Sequence, residues 1–276
     1  MLLHGNGTDR DEMGLFARLA DAVGRAGITS IRFDLRGHGA SEGRQEDRTL
    51  SAHLNDVSAA LAELRNRSAT AWAGLVATSF SGGVASWYAA HRPAEISRLV
   101  LLNPQLDHKR RFIDDKVGWV NDRLDREHAQ QLNDKGYLDH SSSVRLGRAL
   151  LNEVFWMRAK TIMPLIETPT LLLHGTSDQH VAVESSRAAA RRIPDAELVE
   201  FDGAAHGFAV PGDDDFSDPQ TLEWQSQAIE KVVTWLAGEE LERPDRGWNH
   251  GPVAQGSRET GGRRSTRRTR HEERDD

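Results

Sequence analysis

Val76-Ala77-Thr78-Ser79-Phe80-Ser81-Gly82-Gly83 runs from an apolar segment into a cluster of small residues and on into a helix-like pattern. A serine at such a strand-to-helix junction needs small residues two positions before and two after it, because the turn that exposes its hydroxyl is tight. Ala77 and Ser81 fill those places, where two glycines are usual. Ser79 is the expected nucleophile. Ser81 is the rival, disfavoured because a turn at Ser79 leaves Gly82 and Gly83 in the first helical turn, where close packing on a sheet calls for them. Without any chemistry, the same residues form an ordinary Ser/Gly-rich turn.

Outward from this turn, short apolar runs alternate with amphipathic stretches. Residues 28–33, 71–78, 99–102, 169–173 and 197–201 read as buried strands. Residues 12–25, 50–64, 81–91, 183–192 and 222–236 read as helices from the spacing of their apolar side chains. This alternation predicts an α/β fold, a mostly parallel sheet flanked by helices. Strands apolar on both faces fit a sheet covered on both sides.

A serine hydroxyl is a poor nucleophile at neutral pH unless a base lies within hydrogen-bond reach and a third group fixes that base. Leu171-Leu172-Leu173-His174-Gly175-Thr176-Ser177-Asp178 is a strand followed by a short loop with an acid. Phe201-Asp202-Gly203-Ala204-Ala205-His206-Gly207-Phe208 is a strand followed by a loop of small residues with a histidine. Singly, Asp178 is a turn aspartate and His206 a loop histidine. Together with Ser79, at three strand ends and in the chain order Ser, Asp, His, they form a candidate triad. Leu2-Leu3-His4-Gly5-Asn6-Gly7 is a further strand end, whose Gly-rich turn can lend a backbone N–H to an oxyanion hole. The expected donors are the N–H groups of Asn6 and of Phe80, the residue after the nucleophile. No Lys-Ser/Thr follows the Gly-x-Gly, which excludes a P-loop.

His4-Gly5-Asn6-Gly7, Phe33-Asp34-Leu35-Arg36-Gly37-His38-Gly39-Ala40-Ser41, the Ser79 turn, His174-Gly175-Thr176-Ser177-Asp178 and Ala205-His206-Gly207-Phe208 resemble the α/β-hydrolase superfamily. Within it the chain is most similar to the serine esterase, thioesterase and acyl-hydrolase branch, including feruloyl/cinnamoyl-esterase-like members. The resemblance spans about residues 1–238. It implies an α/β-hydrolase fold, the triad Ser79, His206 and Asp178, and oxyanion donors at Asn6 and Phe80. It also implies that the Arg-Gly-His-Gly turn is structural. Dehalogenase members carry Asp where Ser79 stands, which disfavours that chemistry. The family usually places two antiparallel strands before the His-Gly loop, whereas here the loop begins at residue 4 and its supporting strand is expected to be short.

The chain has 276 residues, 38% hydrophobic and 28% charged, enough for one full-sized domain and an insertion. Residues 1–103 and 165–240 are the expected core. Residues 104–164 lack a strand-like run and are expected to form an inserted helical cap, with Trp119, Tyr137, Phe155 and Trp156 as candidate substrate-binding aromatics; the alternative is that these rings are the cap's own core. Residues 244–276 are almost without apolar side chains and are expected to be a disordered tail; its arginines from 263 to 270 read as solvated rather than polyanion-binding.

Absence of cysteine excludes disulfides, Cys-ligated metals and a Cys nucleophile. His174, Asp178 and His180 could mimic metal ligands, but Asp178 is better explained as the triad acid, so no metal and no cofactor are expected. The net charge of −7 gives no reason to expect nucleic-acid binding. With no signal-peptide pattern and no apolar run of about 20 residues, a cytoplasmic protein without membrane contact is expected. The expected partner is a small-molecule acyl ester or thioester, and a homodimer is the candidate assembly. The rival functions are an amidase, peptidase or carbon–carbon hydrolase with the same triad, and a non-catalytic binding protein of the same fold.

Overall fold

The computed structural model describes residues 1–68, 70 and 72–238. The expected disordered tail therefore lies outside the described residues. In chain order the strands are β1 (Leu2–Leu3), β2 (Gly74–Thr78), β3 (Arg98–Leu102), β4 (Trp119–Val120), β5 (Arg123–Leu124), β6 (Tyr137–Ser141), β7 (Val144–Gly147), β8 (Thr170–Gly175) and β9 (Ala196–Phe201). The helices are α1 (Leu15–Arg25), α2 (Leu50–Ser68), α3 (Ser81–His91), α4 (Arg126–Lys135), α5 (Arg148–Glu153), α6 (Ala159–Ile162), α7 (Glu184–Ala190) and α8 (Pro219–Ala237). The central sheet has the order β1-β2-β3-β8-β9, and every neighbouring pair is parallel.

Successive side chains of a strand point to opposite faces, so an all-apolar strand feeds two cores. Leu75, Ala77, Leu99, Leu101 and Leu172 enter one cluster with Val57 and Leu61 of α2 and Val84 and Tyr88 of α3. Val76, Val100, Leu102, Leu171 and Leu173 enter the other with Phe16 and Leu19 of α1 and Val232 and Leu236 of α8. The result is a sheet between two helical layers. Because the strands are parallel, the turns after β1, β2, β8 and β9 all emerge at one edge, where open α/β sheets hold their ligands.

Three expectations are modified. Residues 28–33 make only an isolated bridge, Arg32 to Leu2, with Leu2 N–H donating to Ile31 O at 2.9 Å. The neighbouring β1 offers only two residues to pair with. The first helix starts at Leu15 rather than residue 12, because Glu12, Met13 and Gly14 all have positive φ and form a left-handed turn.

The third correction concerns residues 104–164, expected to be helical. They are mixed: α4 to α6 share this segment with two antiparallel hairpins, β4–β5 and β6–β7. The β4–β5 hairpin closes on Asn121 and Asp122, both at positive φ, as a two-residue turn of the primed type requires. In β6 and β7 only Leu138, Val144 and Leu146 alternate onto the buried face, too few to stand out as strand periodicity. These side chains join the same cluster as Leu75 and Val84, so the segment is continuous with the core on that side of the sheet.

Candidate active site

Ser79 follows β2 directly and has a φ of 48°, the left-handed region that only a tightly held non-glycine residue occupies. Its N–H donates to Leu102 O at 2.9 Å, and its carbonyl accepts from Gly82 N–H at 2.9 Å and Gln105 N–H at 2.8 Å. Gly82 and Gly83 are required for close approach, although not to the sheet. A Cβ on Gly82 would lie 2.5 Å from Pro104 Cβ, and one on Gly83 would lie 2.4 Å from His108 Cε1. The chain after β3 therefore folds back over the start of α3. Ser81, the rival nucleophile, is fully buried and donates from Oγ to His4 O at 2.5 Å. Its role is to tie the Ser79 turn to the loop after β1.

Asp178 follows β8, and His206 follows β9. His206 Nδ1 lies 2.7 Å from Asp178 Oδ2. A carboxylate oxygen accepts, so Nδ1 carries the proton and Nε2 is left with its lone pair, as a general base requires. The carboxylate is itself held from every side. Asn103 Nδ2 donates to Oδ2 at 2.9 Å, the N–H groups of His180 and Val181 donate to Oδ1 at 2.8 and 2.9 Å, and His174 Nε2 stands 3.4 Å from Oδ2. Burial opposes ionisation of Asp178, but the neighbouring His174 and the hydrogen bonds from His206 and the Val181 N–H outweigh it and hold the carboxyl far below the usual range.

The loop after β1 is fixed by its neighbours. His4 Nε2 accepts from Leu35 N–H at 2.9 Å, which leaves Nδ1 to donate to Gly5 O at 2.8 Å. Glu12 Oε2 accepts from Gly5 N–H at 2.6 Å and Thr8 Oγ1 at 2.8 Å. Arg48, fully buried, donates to Asn6 Oδ1 at 2.5 Å and to His38 Nε2 at 2.9 Å, and its guanidinium stands 5.3 Å from the Phe80 ring centroid. Among the described residues no carboxylate pairs with it, and burial pushes its pKa down to about 10. The backbone N–H groups of Asn6 and Phe80 have no partner among the described residues. Ser79, His206, Asn6 and Phe80 line one cavity of about 280 Å³. Ser79, His206 and Asn6 also line a second, of about 190 Å³, that contains Glu12. A larger groove of about 630 Å³ lies against β9 and α8 and holds none of these residues.

Comparison with known proteins accords with this geometry. The family described as alpha/beta hydrolase fold matches residues 1–157, more than half of the chain. The chain belongs to the α/β-hydrolase family. A second family, serine aminopeptidase S33, matches residues 122–210 of this hydrolase. The hydrolase is 29% identical over 238 residues to the non-heme chloroperoxidase CPO-A1 of Kitasatospora aureofaciens, covering 74% of this chain and 84% of that one. Among solved structures it is similar to a monoacylglycerol lipase of Paleococcus ferrophilus, with 25% identity, a TM-score of 0.60, and 86% and 92% of the two chains covered. It also shares the fold of Est1E from Butyrivibrio proteoclasticus, solved with ferulic acid, at 21% identity and a TM-score of 0.68, covering 86% and 88%. No helix among the described residues is long and apolar enough to cross a membrane.

The hydrolase does not bring the four aromatics expected to bind substrate into either cavity beside Ser79. Trp119 and Phe155 pack on each other, with centroids 5.9 Å apart, at the rim of the core cluster. Tyr137 lies under the cations of Lys135 and Arg145, and Trp156 is 84% exposed. The cavity wall is made instead by Phe112, His140 and Val144, with Arg111, Lys116 and His180. Sequence reasoning missed these residues, except that it weighed His180 as a metal ligand, and it missed Asn103, Glu12 and Arg48. The one available signal was Asn103-Pro104 at the end of β3, an abrupt strand stop at the same sheet edge as Ser79. Arg48 carried none, since a lone arginine in a polar stretch gives no sign that it is buried.

Proposed function

We propose that this hydrolase cleaves an ester or thioester of a small or medium acyl group through Ser79, His206 and Asp178. The observation that carries this reading is the His206 Nδ1–Asp178 Oδ2 hydrogen bond, beside a Ser79 held in a left-handed turn and sharing a cavity with His206. His206 Nε2 takes the Ser79 proton as Oγ attacks the substrate carbonyl carbon. The N–H groups of Asn6 and Phe80 receive the oxyanion. The tetrahedral intermediate collapses to an acyl-enzyme as His206 passes the proton to the departing alcohol or thiol. Water, deprotonated by His206, then attacks the acyl-enzyme, and the proton returns to Ser79 as the acid leaves. Asp178 fixes the imidazole tautomer and stabilises the imidazolium that forms. The segment between β3 and β8 acts as the cap that walls the acyl site.

Hydrolysis of p-nitrophenyl acyl esters of increasing length, beside Ser79→Ala, tests this function. Turnover that vanishes in Ser79→Ala, with a fluorophosphonate probe labelling the unmodified chain at Ser79, is the expected result. Ser81→Ala should keep the label. Labelling elsewhere, or turnover that survives Ser79→Ala, would sink the assignment. A second reading, an amidase or peptidase with the same triad, is favoured by the serine aminopeptidase match over residues 122–210. Faster cleavage of aminoacyl anilides than of esters would select it.

A further inference from the structure

We infer that the substrate carries an anionic group, a carboxylate or a phosphate, which Arg111 and Lys116 receive in the cavity beside Ser79. This rests on the assignment of Ser79 as nucleophile, and it names the substrate class that assignment leaves open.

Arg111 and Lys116 both line the 280 Å³ cavity with Ser79 and His206, and no aspartate or glutamate lines it. Both side chains are half-buried, and neither has a hydrogen-bond or ion-pair partner among the described residues. The acids close to them in sequence make their ion pairs with other cations. Asp114 and Asp122 bind Lys109 Nζ at 2.6 and 2.7 Å, and Asp115 stands 3.3 Å from Arg110 Nε. Arg111 sits in a π-helical turn, Arg110–Asp114, a distortion that recurs at functional sites.

The field of these cations is felt around the cavity. Burial pushes the His140 pKa down to about 3, assisted by the charges of Lys116, Arg111 and Arg48. Burial and the neighbouring Arg111 also lower the pKa of Lys116, and the charge of Asp115 offsets this only in part. Cations taken partly out of water without a paired carboxylate are costly, and a bound anion removes that cost. An uncharged acyl chain would leave it in place. Half-esters of short dicarboxylic acids, or phosphorylated acyl esters, are the matching chemistry.

Binding can be separated from turnover by working on Ser79→Ala. Isothermal titration of that protein with monomethyl glutarate, dimethyl glutarate and inorganic phosphate reads the charge preference directly. At least one of the two anions should bind about tenfold or more tighter than the neutral diester, the scale of a hydrogen bond to a charged group. The preference should disappear when Arg111→Gln and Lys116→Gln are added. The stronger anion assigns carboxylate or phosphate. Equal or tighter binding of the diester, a preference that survives the two glutamines, or no binding of either anion at millimolar concentration would each overturn the inference. None of these outcomes touches the nucleophile, which the p-nitrophenyl ester and labelling experiments judge separately.

Discussion

Asn103 Nδ2 donates at 2.9 Å to Oδ2 of Asp178, the oxygen that also faces Nδ1 of His206 at 2.7 Å. One side chain at the end of β3 thus holds Asp178 after β8, whose carboxylate in turn holds His206 after β9. The three groups meet because their strands are parallel and their loops share one edge of the sheet.

Asp178→Asn would present an amide to His206 and favour the tautomer with its proton on Nε2. The fold should persist while kcat on a p-nitrophenyl ester falls by about four orders of magnitude. The acid range gives a second readout. The folded Asp178 carboxyl titrates below its unfolded value near 3.9, so it contributes stability above that pH and loses it as pH falls below. Asp178→Asn should lose this acid-range dependence in urea denaturation.

Arg48→Met should separate activity from stability. Arg48 is a buried cation whose partners are neutral, and replacing it by an apolar side chain of similar length removes a charge from the core. The urea midpoint should hold or rise. Turnover should fall by about tenfold to a hundredfold, because Asn6 loses the donor that fixes its loop and small displacements at a reacting centre are costly. Unchanged kcat would show that the loop is held without Arg48.

Acid sensitivity should also come from buried neutral histidines. Burial, with help from nearby cations, lowers His38 and His140 to about 3, and burial lowers His108 to about 4. Their unfolded value is near 6.5. Between those limits the unfolded chain binds protons that the folded chain does not, so stability is complete above about pH 6.5 and falls as pH drops. Each histidine contributes a slope of about 1.4 kcal/mol per pH unit. Urea midpoints measured across this range should show the decline, and His108→Gln should make it shallower by about that amount.

Gly83→Ala should destabilise even though alanine is the better helix former. The added Cβ would meet His108 Cε1 at 2.4 Å and Gln105 O at 2.8 Å, and overpacking of this kind costs about 1–3 kcal/mol. A urea midpoint equal to or above that of the parent would contradict this packing.

The five strands expected from apolar runs and the five expected helices correspond closely to observed elements, except that residues 28–33 pair at a single bridge. Those runs are legible because a buried parallel strand must be apolar on both faces. The β6–β7 hairpin was not, because its buried face holds three apolar residues among polar ones. At the site, Ser79, Asp178 and His206 were legible as a set because each follows a strand end, in the chain order Ser, Asp, His. The supporting residues carry no such mark: Glu12 reaches Gly5 only through a left-handed turn, and Arg48 meets Asn6 across 42 positions of chain.

The sequence by itself determined the layered fold and the order of the candidate triad, since strand periodicity and short-range turn chemistry are written locally. Only the tertiary structure decided what surrounds Ser79. It kept the expected aromatics out of both cavities beside Ser79 and brought Arg111 and Lys116 to line the larger of the two. It also buried Arg48 against Asn6 and Phe80. The reason is physical: burial and charge balance are sums over neighbours distant in sequence, and no local pattern contains them.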